Sequence, residues 1–183
     1  MKLRHIACLF LGMGVLVGCA GDVVRKHEQG DHSNYAEPPE EVPHAVLRVI
    51  SDGLVRLVPD ATCADLSKPG AGFAVSSDRL YQGAYGSNGQ LRGVVGHGPP
   101  GVAQGEFRVA ADRPLTLHYT YTWVAGGYEY ACRIARTFTP QAQAHYEVMS
   151  LGQPKEKQCS LTAARLWPSA ATLELSKATL CDK

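Results

Sequence analysis

Hydrophobic and polar positions alternate most strictly over residues 115–124. There Leu115, Leu117, Tyr119, Tyr121 and Trp123 are interleaved with Thr116, His118, Thr120 and Thr122. A period of two predicts a β-strand with one buried face. Past Ala125, Gly126 and Gly127, the stretch 128–138 sets Tyr128, Tyr130, Cys132 and Ile134 on one side and Glu129, Arg133 and Thr137 on the other. The two runs therefore predict a long hairpin. Runs 45–50 (AVLRVI) and 54–58 (LVRLV) are rich in β-branched residues and flank Ser51, Asp52 and Gly53, a turn in which glycine can supply positive φ. They predict a second hairpin. Further strands are expected at 72–76, 90–95, 106–110, 145–149, 158–166 and 171–175. Short strands punctuated by turns predict an all-β, antiparallel sandwich or barrel, with no more than a turn or two of helix.

The N-terminus has a different pattern. Lys2 and Arg4 precede an apolar run of 12 residues from Ile6 to Val17, which ends in Leu16, Val17, Gly18 and Cys19. A helix spanning a bilayer needs about 20 apolar residues, so the run predicts a cleaved export signal and not a membrane span. Its ending, LVGC at 16–19, resembles the lipobox of bacterial lipoproteins. The resemblance implies diacylglycerol on the Cys19 thiol, cleavage after Gly18 and an acyl chain on the new amino group. Two or more chains make anchoring durable where one is marginal. Cys19 is then the whole contact with the bilayer, and no other cofactor is expected. In the resemblance, Ala20, standing where an aspartate would signal retention in the inner membrane, implies an outer-membrane destination; a periplasm-facing domain is expected there, although Ala20 does not itself specify the face.

The chain thus divides into a signal at 1–18, a lipidated N-terminus and tether at 19–43 and a β domain at 44–183. The tether contains three prolines, one aromatic residue and no apolar periodicity, which reads as a solvated linker. His27 and His32 lie within it and read as solvated side chains, since a metal site needs supported ligands. The formal charge is +1 for the full chain, and without the signal 16 basic and 17 acidic groups remain. Nothing in that balance favours nucleic acid as a partner.

Once Cys8 leaves with the signal and Cys19 takes lipid, Cys63, Cys132, Cys159 and Cys181 remain. No C-x₂-C pair suggests zinc, and an even number in an exported domain reads as two disulfides with three possible connectivities. The stretch from Phe138 to Tyr146 resembles the corner by which immunoglobulin-like domains pass between sheets, where a tyrosine hydroxyl bonds backbone a few residues upstream. The resemblance implies a β-sandwich of immunoglobulin-like or transthyretin-like kind. It puts Cys132 and Cys159 in facing sheets, within bridging reach, and leaves Cys63 to Cys181.

No G-x-S-x-G elbow, H-E-x-x-H helix, S-x-x-K or phosphate-binding loop is present, so no catalytic residue and no metal ligand is assigned. His118, Glu129, His145 and Glu147 read as ordinary residues of solvated strand faces, and so do Arg133, Arg136 and Arg165. The row Tyr119, Tyr121, Trp123, Tyr128 and Tyr130 reads as core in preference to a carbohydrate platform. The glycine-rich stretch 83–105 is the first candidate for a recognition loop. Two functions are left open. One is a noncatalytic envelope lipoprotein whose β domain binds a protein partner as a structural or accessory component. The other is a glycan-binding or hydrolytic lipoprotein with a site built from loops. A deep polar pocket of converging His and Glu favours the second, and a flat exposed apolar patch near the glycine-rich stretch favours the first.

Overall fold

The computed structural model describes residues 34–77 and 102–181. Ten strands occur among them: β1 (His44–Ser51), β2 (Leu54–Pro59), β3 (Gly72–Ser76), β4 (Ala103–Ala110), β5 (Leu115–Ala125), β6 (Tyr128–Phe138), β7 (His145–Gln153), β8 (Gln158–Trp167), β9 (Ala171–Leu173) and β10 (Ser176–Ala178). They form two five-stranded sheets, in the orders β4-β1-β7-β8-β9 and β10-β6-β5-β2-β3. All ladders are antiparallel except β1 with β7. The expected sandwich is therefore present, and no helix occurs among the described residues.

The inner faces meet in one core. Leu47 and Val49 of β1, Val148 of β7 and Val109 of β4 pack against Val55 and Leu57 of β2 and Leu117 and Tyr119 of β5, all with no exposed surface. The hairpin expected at 115–138 is the longest ladder, with Leu115 opposite Phe138 and Ala125 opposite Tyr128. Gly126 and Gly127 turn it at φ values of 59° and 80°, which only glycine adopts without strain.

The expected hairpin of 45–50 with 54–58 does not form. β1 and β2 lie in opposite sheets, and Asp52 and Gly53 turn the chain across the sandwich. A hairpin with a three-residue loop at 51–53 sets Arg48 opposite Arg56, and like charges directly opposed are unfavourable. In the sandwich Arg48 lies between Glu106 and Glu147, and Arg56 stacks over the Phe73 ring at 4.5 Å. A Cβ at Gly53 would stand 2.5 Å from the Thr120 carbonyl oxygen and 2.7 Å from Tyr119 Cε2, so the corner needs glycine.

The passage from β6 to β7 is the expected corner. The Gln141 amide donates to the Tyr146 hydroxyl at 3.0 Å, and the Phe138 and Tyr146 rings meet edge to face at 5.2 Å. Both expected disulfides are in place, with Cα separations of 6.1 Å for Cys132–Cys159 and 5.2 Å for Cys63–Cys181. The first joins the two sheets. The second ties the loop after β2 to the C-terminus, over a small cluster of Ala64, Ala135 and Ala178.

Other boundaries differ from expectation. Residues 34–43, assigned from sequence to the tether, pack on the domain: Tyr35 is buried edge to face with Phe107 at 6.2 Å, and its amide donates to the Phe73 carbonyl at 2.9 Å. Glu37 and Glu40 both pair with Arg108. The run expected at 171–175 stops at Leu173, and an unexpected strand follows at Ser176–Ala178, beside β6. The strand expected at 90–95, the lipobox, His27, His32 and most of the glycine-rich stretch lie outside the described residues.

Candidate functional site

Both long hairpins outgrow the sandwich at one end. β5 is covered by β2 only from Leu115 to Thr120, and β7 pairs with β1 only as far as Ser150. Five residues of β5, from Tyr121 to Ala125, project beyond, a reach of about 17 Å at roughly 3.4 Å per residue. The Cys132–Cys159 bridge clamps the projections, since Cys132 pairs with Tyr121 and Cys159 with Gly152 across their ladders.

Along this projection the aromatic row passes from core to solvent. Tyr119 is fully buried, and Tyr121, Trp123 and Tyr130 are half-buried and stacked in sequence, with centroids 5.9 Å and 5.5 Å apart. Lys157, in the β7–β8 turn, holds its Nζ 5.6 Å from the Tyr130 centroid. At the tip Val124 and Tyr128 are 72% and 71% exposed. The sequence reading of the row as core therefore holds at Tyr119 and fails at Tyr128. Alternation tells which face a residue occupies, but not where the facing sheet stops.

The corner beneath the projection is a polar latch. Asp52 accepts the Tyr119 hydroxyl at 2.6 Å and the Gly152 amide at 2.9 and 3.1 Å, one to each carboxylate oxygen. Ser150 donates to Ser51 Oγ at 2.8 Å, and Ser51 Oγ accepts the Gly53 amide at 3.0 Å. Burial, then the hydrogen bond and charge of Asp52, raise the Tyr119 phenol well above its ordinary range, and burial, then the charge of Asp52, raise that of Tyr121. Both phenols therefore stay protonated at neutral pH.

The opposite end of the β4-β1-β7 sheet carries a second feature, an open cleft of about 540 Å³. Glu40, Glu41, His44, Val46, Gln143 and His145 line it. His44 Nδ1 donates to the Val42 carbonyl at 2.8 Å, which fixes the imidazole and leaves Nε2 for other contacts. His145 lies tilted against Trp167, centroids 5.9 Å apart, and Trp167 is 51% exposed. One row further along the sheet, Arg48 bridges Glu106 at 3.2 Å and Glu147 at 3.5 Å.

The histidines and glutamates singled out in the sequence are not brought together. His145 and Glu147 share the outer face of β7, whereas Glu129 is exposed near the hairpin tip in the other sheet. His118 is also in that other sheet, and it is buried at 4% exposure, not solvated as the alternation suggested. The loop after β2 and the C-terminal segment cover part of its face, and burial, with Arg56 and Arg133 adding to the effect, lowers its pKa to about 4. Among the described residues no three His, Cys, Asp or Glu side chains are grouped to hold a metal ion. Arg133 is exposed, Arg136 donates to the Ala135 carbonyl and Arg165 reaches Ser169 and Gln141. Sequence reasoning missed Trp167, whose only signal was a large aromatic residue ending a strand immediately before Pro168.

No protein-family model, no curated protein and no solved structure matches this chain.

Proposed function

We propose that this is an outer-membrane lipoprotein, anchored through acylated Cys19, whose β-sandwich is a noncatalytic binding domain for another envelope protein. The observation that carries the binding role is the pair of exposed apolar residues Val124 and Tyr128 on a projecting double hairpin. Val124, level with Glu129, and Tyr128, level with Ala125, stand on opposite faces of the tip; large apolar side chains exposed there gain nothing for the fold and suit a partner that closes around the tip from both sides. The disulfide clamp below them reduces the ordering cost of docking.

The placement of the chain supports presentation away from the anchor. Asn34 bridges Phe73, which pairs with Arg56 and so lies level with His118, seven residues short of Ala125. The tip thus stands about 24 Å further along the strand axis, and 14 residues lie between Cys19 and Asn34.

The test is crosslinking of the tagged, full-length protein in its native envelope, followed by identification of adducts, with Cys19→Ser alongside. The wild type yields one stoichiometric protein partner and fractionates with the outer membrane. Cys19→Ser loses the lipid, and with it the membrane fraction. Tight retention on cell-wall glycan with no protein partner contradicts the proposal.

A further inference from the structure

We infer that the cleft between the 40–43 segment and the starts of β1 and β7 is a binding site for a neutral hexopyranose unit of a glycan. It is separate from the hairpin tip, and it stands whether or not the tip binds a protein. Three observations converge on that ligand class.

The first is the ring of Trp167, which stands beside the cleft and not on its lining: it is half-exposed, pairs with the lining residue His145 across the β7–β8 ladder and meets its ring at 5.9 Å. A half-exposed indole at the rim offers an electron-rich surface to the C–H groups of a pyranose unit that extends from the cleft. The second is the polar lining. Glu40 and Glu41 are exposed acceptors, and His44 and His145 supply ring nitrogens, so hydroxyl groups find both acceptors and donors around one opening. The third is size and openness: about 540 Å³ falls within the usual range of small-ligand sites.

Charge decides among ligand classes. Glu37, Glu40 and Glu41 disfavour anionic ligands at this end. Arg108, 3.1 Å from Glu37 and 2.6 Å from Glu40, stands among the carboxylates and weakens their pull on a cation. A neutral, hydroxyl-rich ligand meets neither penalty. Val46 and Pro43, also on the lining, suit the carbon skeleton of a sugar ring.

The experiment uses the mature lipidated chain in a detergent without a sugar headgroup. The chain has two tryptophans, Trp123 and Trp167, so a Trp123→Phe background reports on Trp167 alone. Cellotetraose and tetra-N-acetylchitotetraose are titrated while tryptophan emission and heat of binding are followed. A saturable change with at least one of them is expected. Trp167→Ala, read by heat, should weaken binding about tenfold or more, the equivalent of roughly 1.4 kcal/mol. Glu41→Gln, an exposed change that leaves the fold intact, weakens it several-fold, and Tyr128→Ser leaves it unchanged. No saturable response to either oligosaccharide, affinity within twofold of wild type in both Trp167→Ala and Glu41→Gln, or binding of tetralysine in their place overturns the inference. Loss of the protein partner in Tyr128→Ser with sugar binding intact counts only on the separate question of the tip.

Discussion

The Tyr119 hydroxyl donates to Asp52 at 2.6 Å, and the same carboxylate accepts the Gly152 amide, so one side chain at the β1–β2 corner joins β5 of one sheet to β7 of the other. Asp52→Ala removes the acceptor for both donors. Leaving two such groups unpaired costs about 2 to 4 kcal/mol, to be read from urea unfolding at neutral pH. Tyr119→Phe removes only the phenol and costs less. The two changes together fall short of the sum of the singles by at least about 0.5 kcal/mol if the pair is coupled. Strict additivity contradicts the latch.

His118 makes stability depend on pH with a definite sign. Its pKa falls from 6.5 to about 4 on folding, so between those values the unfolded chain binds a proton that the folded chain does not. The contribution is fully present above pH 6.5 and is lost as pH falls towards 4, by at most about 3 kcal/mol. Carboxylates titrate in the lower part of this window, so the informative quantity is the difference between wild type and His118→Gln. The variant should show a shallower decline of its urea midpoint between pH 7 and 4.5. Parallel declines show that His118 is not held neutral by burial.

Gly152 is required by contact and not by backbone conformation. A Cβ there overlaps the Tyr121 ring. Gly152→Ala should therefore cost about 1 to 3 kcal/mol through displacement of that ring. Gly126→Ala, at φ 59° with nothing within 4 Å, bears only backbone strain and should cost about 1 kcal/mol. Equal thermal shifts for the two variants count against the close packing of Tyr121 on Gly152.

The two disulfides have separable roles. Their sequence separations are 118 for Cys63–Cys181 and 27 for Cys132–Cys159, which on the chain-entropy argument correspond to about 5 and 3.5 kcal/mol. Replacing Cys132 and Cys159 by serine should also raise amide exchange over residues 121–132 while residues 115–119 stay protected. Replacing Cys63 and Cys181 should spare the hairpin. Peptide mapping without reduction that links Cys132 to Cys63 or Cys181 contradicts the fold itself.

The sequence made the β5–β6 hairpin legible because both strands bury one face, and burial of one face imposes a period of two. It also made the crossing after Phe138 legible, and with it both disulfide pairs. The β1–β2 corner was not, because Ser51, Asp52 and Gly53 suit a hairpin turn as well as a crossing. The only local hint was that a hairpin opposes Arg48 to Arg56. Tyr35 was hidden by its polar, proline-rich neighbours, although it contributes a full aromatic ring to the core. The candidate surfaces were the least legible part. Tyr119 and Tyr128 have the same alternation, and they differ only because the second sheet ends between their levels. The cleft joins residues 40–46 to 143–145 through a parallel β1–β7 pairing that no local pattern encodes.

The most direct test of a partner-binding tip is a photo-crosslinking residue placed at Tyr128 in the full-length protein and activated in intact envelopes, with the same residue at Thr172 on β9 as the control. A single protein adduct from position 128, absent from position 172 and lost when Val124 is changed to Asp, is the predicted result. Adducts of equal yield from both positions, or none from position 128 while the protein is present at its normal level, contradict it.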